Sequence, residues 1–401
     1  MGLELRVPTD DDWVDICHAD GRAFGINYTD ESRESARRLI DLTRFRIVVD
    51  VGAGGREIVG IAGSYAFDVS LPGGSGVPMA GVTWISVAAT HRRQGILTRL
   101  MDACHADIDE RGEPVASLYA SESGIYERFD YSIATRIRSV SIEARSASIR
   151  PEHRPAPGSV RFVTGDEAEE AVRQRWWRAW RARAGEVRRT EAHLASLFER
   201  RGKPEGRASA VHHLLHADGY AAYRVTSNWD EQGFRNEISV PEIVALTPDA
   251  HAAIWHTLLE MDLVATITTR AVPVDDPLPY LLRDPRAVRT EHLVDGVWVN
   301  VRDVPVAFGA RTYATTDRLV IEADGRRWAI DGGPDGADVR AVRSRPDVVT
   351  DRATLGALLY GGVAPSLLAA GRRLTARNAD ALRRADVFFT TALAPHCQTP
   401  Y

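Results

Sequence analysis

The 401-residue sequence predicts an α+β protein of two or three domains, and three observations support this. Helix-like and strand-like patterns alternate over residues 1–146. A proline-rich, charged stretch at 146–158 indicates a linker. Short strand-like segments precede helix-like segments near the C-terminus. We therefore divide the chain into the segments 1–146, 159–290 and 291–401.

The first segment begins with the strongest local signals. Asp10 to Asp12 precede an apolar-periodic run, which predicts a helix start. A second helix is expected at 31–42, and strands at 45–49, 58–65, 81–87 and 115–120, with a glycine-rich turn at 52–55. Apolar residues at helical spacing from Ile96 to Ile108, closed by Arg111 and Gly112, predict a longer helix between the last two strands.

The second segment opens with a helix that carries Trp176, Trp177 and Trp180 among arginines. Aromatic and basic residues in alternation are typical of nucleic-acid stacking surfaces. The alternative, which we favour, is a helix that buries its tryptophans beneath arginine stems. The third segment shows strand patterns at 297–301, 319–323 and 328–330, followed by helix-like segments.

Composition and charge exclude several classes of protein. Hydrophobic residues make up 44% and charged residues 26%, as in water-soluble globular proteins. No stretch reaches the ~18 uncharged apolar residues of a membrane span, and the N-terminus lacks a secretory signal pattern. A net charge of −5 disfavours nucleic acid as a partner. We expect a cytoplasmic protein with neither a membrane nor a nucleic-acid partner.

Metal and disulfide frameworks are also disfavoured. Cys17, Cys104 and Cys397 are odd in number and far apart, which argues against disulfides and cysteine metal clusters. The run from His212 to His216 lacks the glutamate of a metallopeptidase motif and reads as part of a strand or helix face. The sequence therefore predicts no metal.

The connection between the strand at 81–87 and the helix that follows has the features of an anion site. First-turn amides have no intrahelical partners, and the helix dipole adds partial positive charge. Gly95 allows close approach of a phosphate, while Arg92 and Arg93 supply charge. The spacing alone also fits a solvent-exposed helix start whose arginines bind no ligand.

A tyrosine downstream strengthens the anion-site interpretation. Tyr126 follows the strand at 115–120 and lies near the start of a short helix. A phenol with a pKa near ~10 is protonated at neutral pH and can deliver a proton to a departing thiolate. By itself such a tyrosine more often serves packing; its pairing with the upstream turn indicates chemistry.

A faint internal repeat relates the first two segments. Residues 85–91, a strand end and turn followed by a helix, resemble residues 243–249 in the same setting. Only the first copy carries arginines and a glycine at the turn. If the repeat is real, the second copy shares the fold without the ligand site.

Two motifs carry a resemblance to a known family. They are the run Val-Ala-Ala-Thr-His-Arg-Arg-Gln-Gly-Ile-Leu at 87–97 and the run Ala-Ser-Glu-Ser-Gly-Ile-Tyr-Glu-Arg-Phe-Asp-Tyr at 120–131. Weaker echoes lie at 218–225 and 276–282. The sequence resembles GNAT-superfamily acetyltransferases, and within them the enhanced intracellular survival (Eis) family of bacterial N-acetyltransferases.

The resemblance implies tandem GNAT domains, the second one cryptic, and then a domain with a sterol-carrier-protein fold. It implies acetyl-CoA as co-substrate and Tyr126 as general acid, with the C-terminal carboxylate of Tyr401 as general base. Burial near the cleft would raise the pKa of that carboxylate towards a useful value. The implied cofactor-binding residues are Ile85, Ser86, Val87, Arg92, Arg93, Gln94, Gly95, Ile96, Leu97, Thr98, Ser121 and Glu122.

The acceptor is the part of the function that the resemblance leaves open. The implied acceptor is an amine of a small molecule, such as an aminoglycoside or another polyamine, or a lysine. The stretch at 24–27 has no acid before Asp30, and Pro400 is the penultimate residue, so this sequence lacks the acidic groups that attract polycationic aminoglycosides in relatives. The resemblance also implies a homohexamer. The rival function is a lipid-binding or scaffolding protein with a non-catalytic acetyltransferase head.

Overall fold

The chain folds as a mixed α/β protein in this computed structural model, which describes residues 2–52, 55–231 and 233–401. Ala53 and Gly54, in the glycine-rich turn expected from the sequence, lie outside the described residues. The strands of the N-terminal part are β1 (Leu3–Arg6), β2 (Arg46–Asp50), β3 (Glu57–Ser70), β4 (Gly76–Val87), β5 (Val115–Tyr119), β6 (Ser132–Ile133) and β7 (Arg136–Glu143). Its helices are α1 (Trp13–Phe24), α2 (Asp30–Arg37), α3 (Ile96–Glu110) and α4 (Ser123–Tyr126).

The rest of the chain alternates in the same manner. The middle part comprises β8 (Arg161–Val163), α5 (Gly165–Ala179), α6 (Glu191–Arg201), β9 (His212–His216), β10 (Gly219–Thr226), β11 (Trp229–Asp230), β12 (Gly233–Phe234), β13 (Asn236–Ala245), α7 (Pro248–Leu259), β14 (Val264–Val272), α8 (Leu278–Leu281) and β15 (Val288–Asp295). The C-terminal part comprises β16 (Val297–Val301), α9 (Val304–Gly309), β17 (Asp317–Ala323), β18 (Arg326–Gly333), β19 (Gly336–Ala341), β20 (Val348–Thr350), α10 (Arg352–Leu359), α11 (Pro365–Ala370), β21 (Leu374–Ala376) and α12 (Ala379–Phe389).

Three large sheets organise these elements. The first has the order β1-β2-β3-β4-β5-β16-β6, the second β15-β7-β14-β13-β10-β9-β8, and the third β19-β18-β17-β20-β21. Neighbours are antiparallel except for one parallel pair in each sheet, namely β4 with β5, β13 with β14, and β17 with β20. The first two sheets therefore share one plan, in which a long central strand runs parallel to its successor across a helix.

The strands cross the segment boundaries that the sequence predicts. Strand β7, inside segment 1–146, lies in the second sheet, while β16, inside segment 291–401, lies between β5 and β6 of the first. The chain passes between the two sheets at Thr135, before β7, and again at Gly296, before β16. These two connections contact each other, because Gly296 donates its N–H to the Thr135 carbonyl at 3.0 Å. A β-carbon at Gly296 would lie 2.5 Å from Thr135 Oγ1, so this close approach requires glycine. Strand patterns in a single sequence do not reveal which sheet a strand joins.

Most local expectations for helices match the structure, with two exceptions. Helix α3 has its predicted start and ends at Glu110, with Gly112 beyond it at φ +70°. Helix α2 ends at Arg37, so the expected 31–42 helix is five residues too long at its C-terminus. In α5 and just after it, Trp176 and Trp180 are buried beneath Arg189 and Arg181, as favoured. Trp177 is 44% exposed, so the burial prediction is wrong for this residue.

No helix within the described residues is long and apolar enough to cross a membrane.

Candidate active site

A cleft opens where two parallel strands of the first sheet separate. Strands β4 and β5 pair only from Met79 opposite Val115 to Gly81 opposite Ser117, although both continue further. In β4, an extra residue opposite β3 forms a bulge, at which Trp84 has φ +55°. A bulge bends its strand and increases the local twist. The bulge therefore turns the end of β4 away from β5.

The cleft has a volume of about 830 Å³ and receives most of the residues that the sequence singled out. Its lining includes the predicted Ile85, Ser86, Val87, Arg92, Arg93, Gly95, Ile96, Leu97, Thr98, Ser121, Glu122 and Tyr126. Gln94 is exposed and is not among the lining residues. Its side chain follows a left-handed residue and turns to solvent, so its predicted binding role is not supported by this position.

The turn before α3 presents unpaired backbone donors to the cleft. Arg93 and Gly95 both have left-handed backbone conformations, with φ of +62° and +75°. Gly95 is the N-cap of α3, and as a glycine it offers no side chain to cap the first-turn amides. Ile96 is 1% exposed and packs its side chain in the core, so only its backbone is available to a ligand.

The open edge of β4 offers further backbone groups. Ala88 donates its N–H to the Val59 carbonyl of β3 at 2.8 Å. Because backbone groups alternate sides along a strand, Ser86 also faces β3, whereas Val87 and Ile85 face the cleft. The polar backbone groups that remain for a ligand are therefore those of Ile85 and Val87.

Tyr126 closes the cleft on the β5 side and is held in its protonated form. It is 5% exposed and packs against Tyr131, with ring centroids 6.3 Å apart. Burial raises the pKa of the Tyr126 phenol, Glu122 raises it further, and a hydrogen bond with Ser121 lowers it. The net shift is upward, so the phenol carries its proton at neutral pH.

The C-terminal residue lies at the same point of the sheet but does not line the cleft. The Tyr401 hydroxyl is 2.6 Å from Ser117 Oγ, and its ring packs against Phe67 and Tyr119. Tyr126 packs with Ala116 and Leu118, whose side chains leave the opposite face of β5 from those of Ser117 and Tyr119. The two tyrosines thus approach the separation of β4 and β5 from opposite faces.

Comparisons with known proteins agree with this geometry. An acetyltransferase (GNAT) domain family matches residues 4–134, and a second acetyltransferase (GNAT) domain family matches residues 171–302. A sterol carrier protein domain matches residues 304–398. The chain is 35% identical to N-acetyltransferase Eis of Mycobacterium tuberculosis, over 98% of each chain. This chain belongs to the Eis family of N-acetyltransferases.

Solved structures and other relatives support the assignment to the Eis family. The crystal structure of Eis1 from Mycobacterium abscessus matches with a TM-score of 0.86 at 32% identity, covering 100% of both chains. An uncharacterized N-acetyltransferase of Streptomyces coelicolor is 32% identical over 98% of each chain. A GCN5-related N-acetyltransferase from Anabaena variabilis has the same fold, with a TM-score of 0.84 at 17% identity. The predicted tandem GNAT fold with a sterol-carrier-like third domain is confirmed, as is the enzyme class.

Sequence patterns missed one wall of this Eis-family cleft. The end of α1 and the start of β3 line it, through residues that include Arg22 and Glu57. Arg22 pairs with Glu57 at 2.5 Å and donates to the Ile58 carbonyl at 3.1 Å. Gly60 allows α3 to pack close, since a β-carbon there would lie 2.8 Å from Ile96 Cγ2. The signal in the sequence that could have indicated this wall is Gly60, a glycine inside a strand pattern, which marks a close approach of another element.

GNAT acetyltransferases use acetyl-CoA as the acetyl donor. Among the residues that the structure describes, no group of three His, Cys, Asp or Glu side chains is placed to hold a metal ion. His212, His213 and His216 lie along β9. All three cysteines are free and buried.

Proposed function

We propose that this chain moves the acetyl group of acetyl-CoA to an amine, with Tyr126 as general acid and the Tyr401 carboxylate as general base. The observation that carries the proposal is that the two residues approach the separation of β4 and β5 from opposite faces of the sheet. An acid and a base on opposite sides of one opening suit a reaction that removes one proton and adds another.

The cleft supports acetyl-CoA as the acetyl donor. The α3 amides from Ile96 to Thr98 and the charge of Arg92 and Arg93 would hold the pyrophosphate. Ile85 and Val87 would pair with the amides of the pantetheine arm through the open edge of β4. Ser121 and Glu122 flank the same end of the cleft as Tyr126. The thioester would therefore end beside the phenol.

The reaction balances with these two groups alone. The amine nitrogen forms a bond to the acetyl carbon, and the carbon–sulfur bond breaks. The Tyr126 phenol gives its proton to the departing sulfur. The Tyr401 carboxylate takes the proton that the amine loses, directly or through a water molecule. Holding amine and thioester in line contributes a further part of the rate.

The acceptor would approach on the face of Tyr401, where aromatic side chains are concentrated. Trp84 packs against Trp13 and Tyr28, with ring centroids 5.7 and 6.0 Å apart. The nearby acid, Asp20, is 4% exposed and accepts a hydrogen bond from the Tyr28 hydroxyl at 2.7 Å. Aromatic faces bind cations and flat rings alike. We infer that a small amine with an apolar or aromatic part fits better than a polycation.

A thiol-release assay tests the proposed function. Acetyl-CoA would be supplied with 2-phenylethylamine, spermidine, kanamycin or Nα-acetyl-lysine amide. We expect faster release with 2-phenylethylamine than with kanamycin or spermidine. No release above the acetyl-CoA background with any amine, together with no saturable binding of coenzyme A by calorimetry, would contradict the proposal. Light scattering on the same sample would test the homohexamer that the resemblance implies.

A further inference from the structure

The last residues of the chain contact all three domains. We call residues 390–401, which follow α12, the tail. The buried Arg311 of the third domain fixes the end of α12 by donating to the Phe389 carbonyl at 3.1 Å, and the tail then passes close to Gly361, where a β-carbon would lie 2.6 Å from Thr391 Cγ2. At its end, the Tyr119 hydroxyl of the first domain donates to the Thr399 carbonyl at 3.2 Å, and the Tyr401 hydroxyl meets Ser117. The middle of the tail lies against the second domain, where His396 donates its N–H to the Ala184 carbonyl and Ala394 donates its N–H to Asp275 Oδ2, both at 2.9 Å.

Glu186, in the loop after α5, makes the densest set of contacts with the tail. Its Oε2 accepts the Gln398 backbone N–H at 2.7 Å, and its Oε1 accepts the Thr399 hydroxyl at 2.9 Å. Cys397 Sγ lies 3.4 Å from the same Oε1. One buried carboxylate therefore fixes three consecutive tail residues, those immediately before Pro400 and Tyr401.

A second buried group extends this anchor into the sheet. Arg189 donates to Thr399 Oγ1 and to Glu242 Oε1, both at 2.9 Å, and it is 4% exposed. Glu242, on β13, also pairs with Arg201 and accepts from the Tyr220 hydroxyl. The Thr399 hydroxyl thus sits between a buried arginine and a buried carboxylate. A side chain without a hydroxyl at 399 would remove one hydrogen bond from Arg189 and one from Glu186, both of them buried.

The tail also meets β13 at a position with a counterpart in the first domain. Leu246 donates to the Asp218 carbonyl at 2.8 Å, as Ala88 does to that of Val59. This register makes Ile243 the equivalent of Ile85, in agreement with the internal repeat. Ile243 donates its N–H to Gln398 Oε1 at 3.4 Å. The edge that faces the cleft in the first domain therefore faces the tail in the second.

We propose that Glu186, Thr399 and the open edge of β13 form a tail dock that positions the Tyr401 carboxylate for catalysis. The second GNAT domain uses its cofactor-side strand edge to hold part of the enzyme's own chain. Glu186 and Thr399 are positioning residues, since neither of them lines the cleft. The inference rests on the proposed function, because holding the tail in place affects catalysis only if Tyr401 takes part in the reaction.

Variants at Thr399 give the sharpest test, because they change a few atoms near the chain end. Thr399→Val removes the hydroxyl at nearly constant shape, and Thr399→Ser keeps it. We expect Thr399→Val and Glu186→Gln to lower kcat about ten- to hundredfold, since small displacements of reacting groups cost that much. The KM for acetyl-CoA should stay unchanged, and Thr399→Ser should retain kcat. Thr350→Val, which loses a hydrogen bond to the Arg373 carbonyl elsewhere in the third domain, is the matched control.

Two further measurements separate this inference from the proposed function. Kinetics would use acetyl-CoA with the fastest amine of the panel above, and amide hydrogen exchange would follow Gln398 in the protein alone. Faster exchange at Gln398 together with the kcat loss in Thr399→Val supports the dock. A large loss on deletion of Tyr401 with unchanged kcat in Thr399→Val and Glu186→Gln would overturn the dock and leave the proposed base intact. Unchanged kcat on deletion of Tyr401 would overturn both.

Discussion

The two GNAT domains of this chain share an arrangement of strand, turn and helix, but the residues at the start of the helix differ. In the first, Gly95 begins α3 in a left-handed conformation and no acid lies in the first turn. In the second, the Thr247 hydroxyl caps α7 by accepting the Ala250 N–H at 3.1 Å. Pro248 there lacks an N–H, and Asp249 adds negative charge to the first turn. The second turn therefore has neither the free donors nor the charge that a phosphate needs.

This difference shows that the fold and the ligand site of a GNAT domain are separable. Both sheets keep a long strand that parts from its parallel neighbour, at Gly81 in the first domain and beyond Ser239 in the second. Each parting leaves backbone groups that need partners. We propose that acetyl-CoA supplies them in the first domain, and Gln398 lies against them in the second.

The largest effect is expected from a substitution at the proposed general acid of the first domain. Tyr126→Phe removes the proposed proton donor and leaves the ring in place. We expect kcat to fall by about 10²–10⁴-fold, while calorimetry gives an unchanged affinity for coenzyme A. Tyr223→Phe, at a buried tyrosine of the second domain, is the control and should leave kcat unchanged. Wild-type turnover in Tyr126→Phe would remove this residue from the mechanism.

A C-terminal extension tests the second proposed group. Adding Gly-Ser after Tyr401 keeps the dock contacts of the tail but moves the terminal carboxylate. We expect kcat to fall about a hundredfold, within the usual contribution of a general base, and the melting temperature to stay the same. The same two residues added at the N-terminus serve as control. An extended enzyme with full turnover would show that the base is another group.

Much of the fold and of this site follows from the sequence for physical reasons. The α3 turn combines a glycine, two arginines and helical periodicity within about twenty residues, so local patterns suffice to place it. The tail contacts arise between residues more than 200 positions apart, such as Glu186 and Gln398. Local periodicity carries no signal for such pairs. The sequence does not predict that β7 joins the second sheet and β16 the first, because these pairings are also between distant residues.

The wall of the cleft formed by α1 and β3 shows a second limit. Arg22 and Glu57 are both about half exposed, and a pair of exposed charges is common on any surface. Nothing in the spacing of these residues distinguishes them from solvated ones. Only the packing of α1 across β3 brings them to the cleft. The role proposed for Tyr401 rests on the family resemblance, because chain ends are usually frayed and no local pattern marks one as catalytic.

Substitution of the glycine in the first-domain turn is expected to have a smaller effect, on coenzyme A binding. It tests the difference between the turns of the two GNAT domains. A β-carbon at Gly95 would meet no atom within 4 Å, so Gly95→Ala costs only the left-handed conformation, about 1–2 kcal/mol. Relief of that strain would rotate the first-turn amides, and we expect about tenfold weaker binding of coenzyme A. Gly112→Ala, at φ +70° and equally open, is a matched control at the other end of α3. Equal affinity losses in both variants would contradict an anion site at the turn.

The smallest expected effect comes from the equivalent turn of the second domain. Thr247→Ala removes the hydroxyl that caps α7, which costs about 1 kcal/mol of stability. Because that turn has Pro248 and Asp249 in place of free donors and arginines, its amides take no part in binding, and the affinity for coenzyme A should not change. Denaturant unfolding and calorimetry on the same preparation measure the two quantities. A shift in coenzyme A affinity larger than twofold would mean that the second turn still serves a ligand, and the separation of fold from site would fail there.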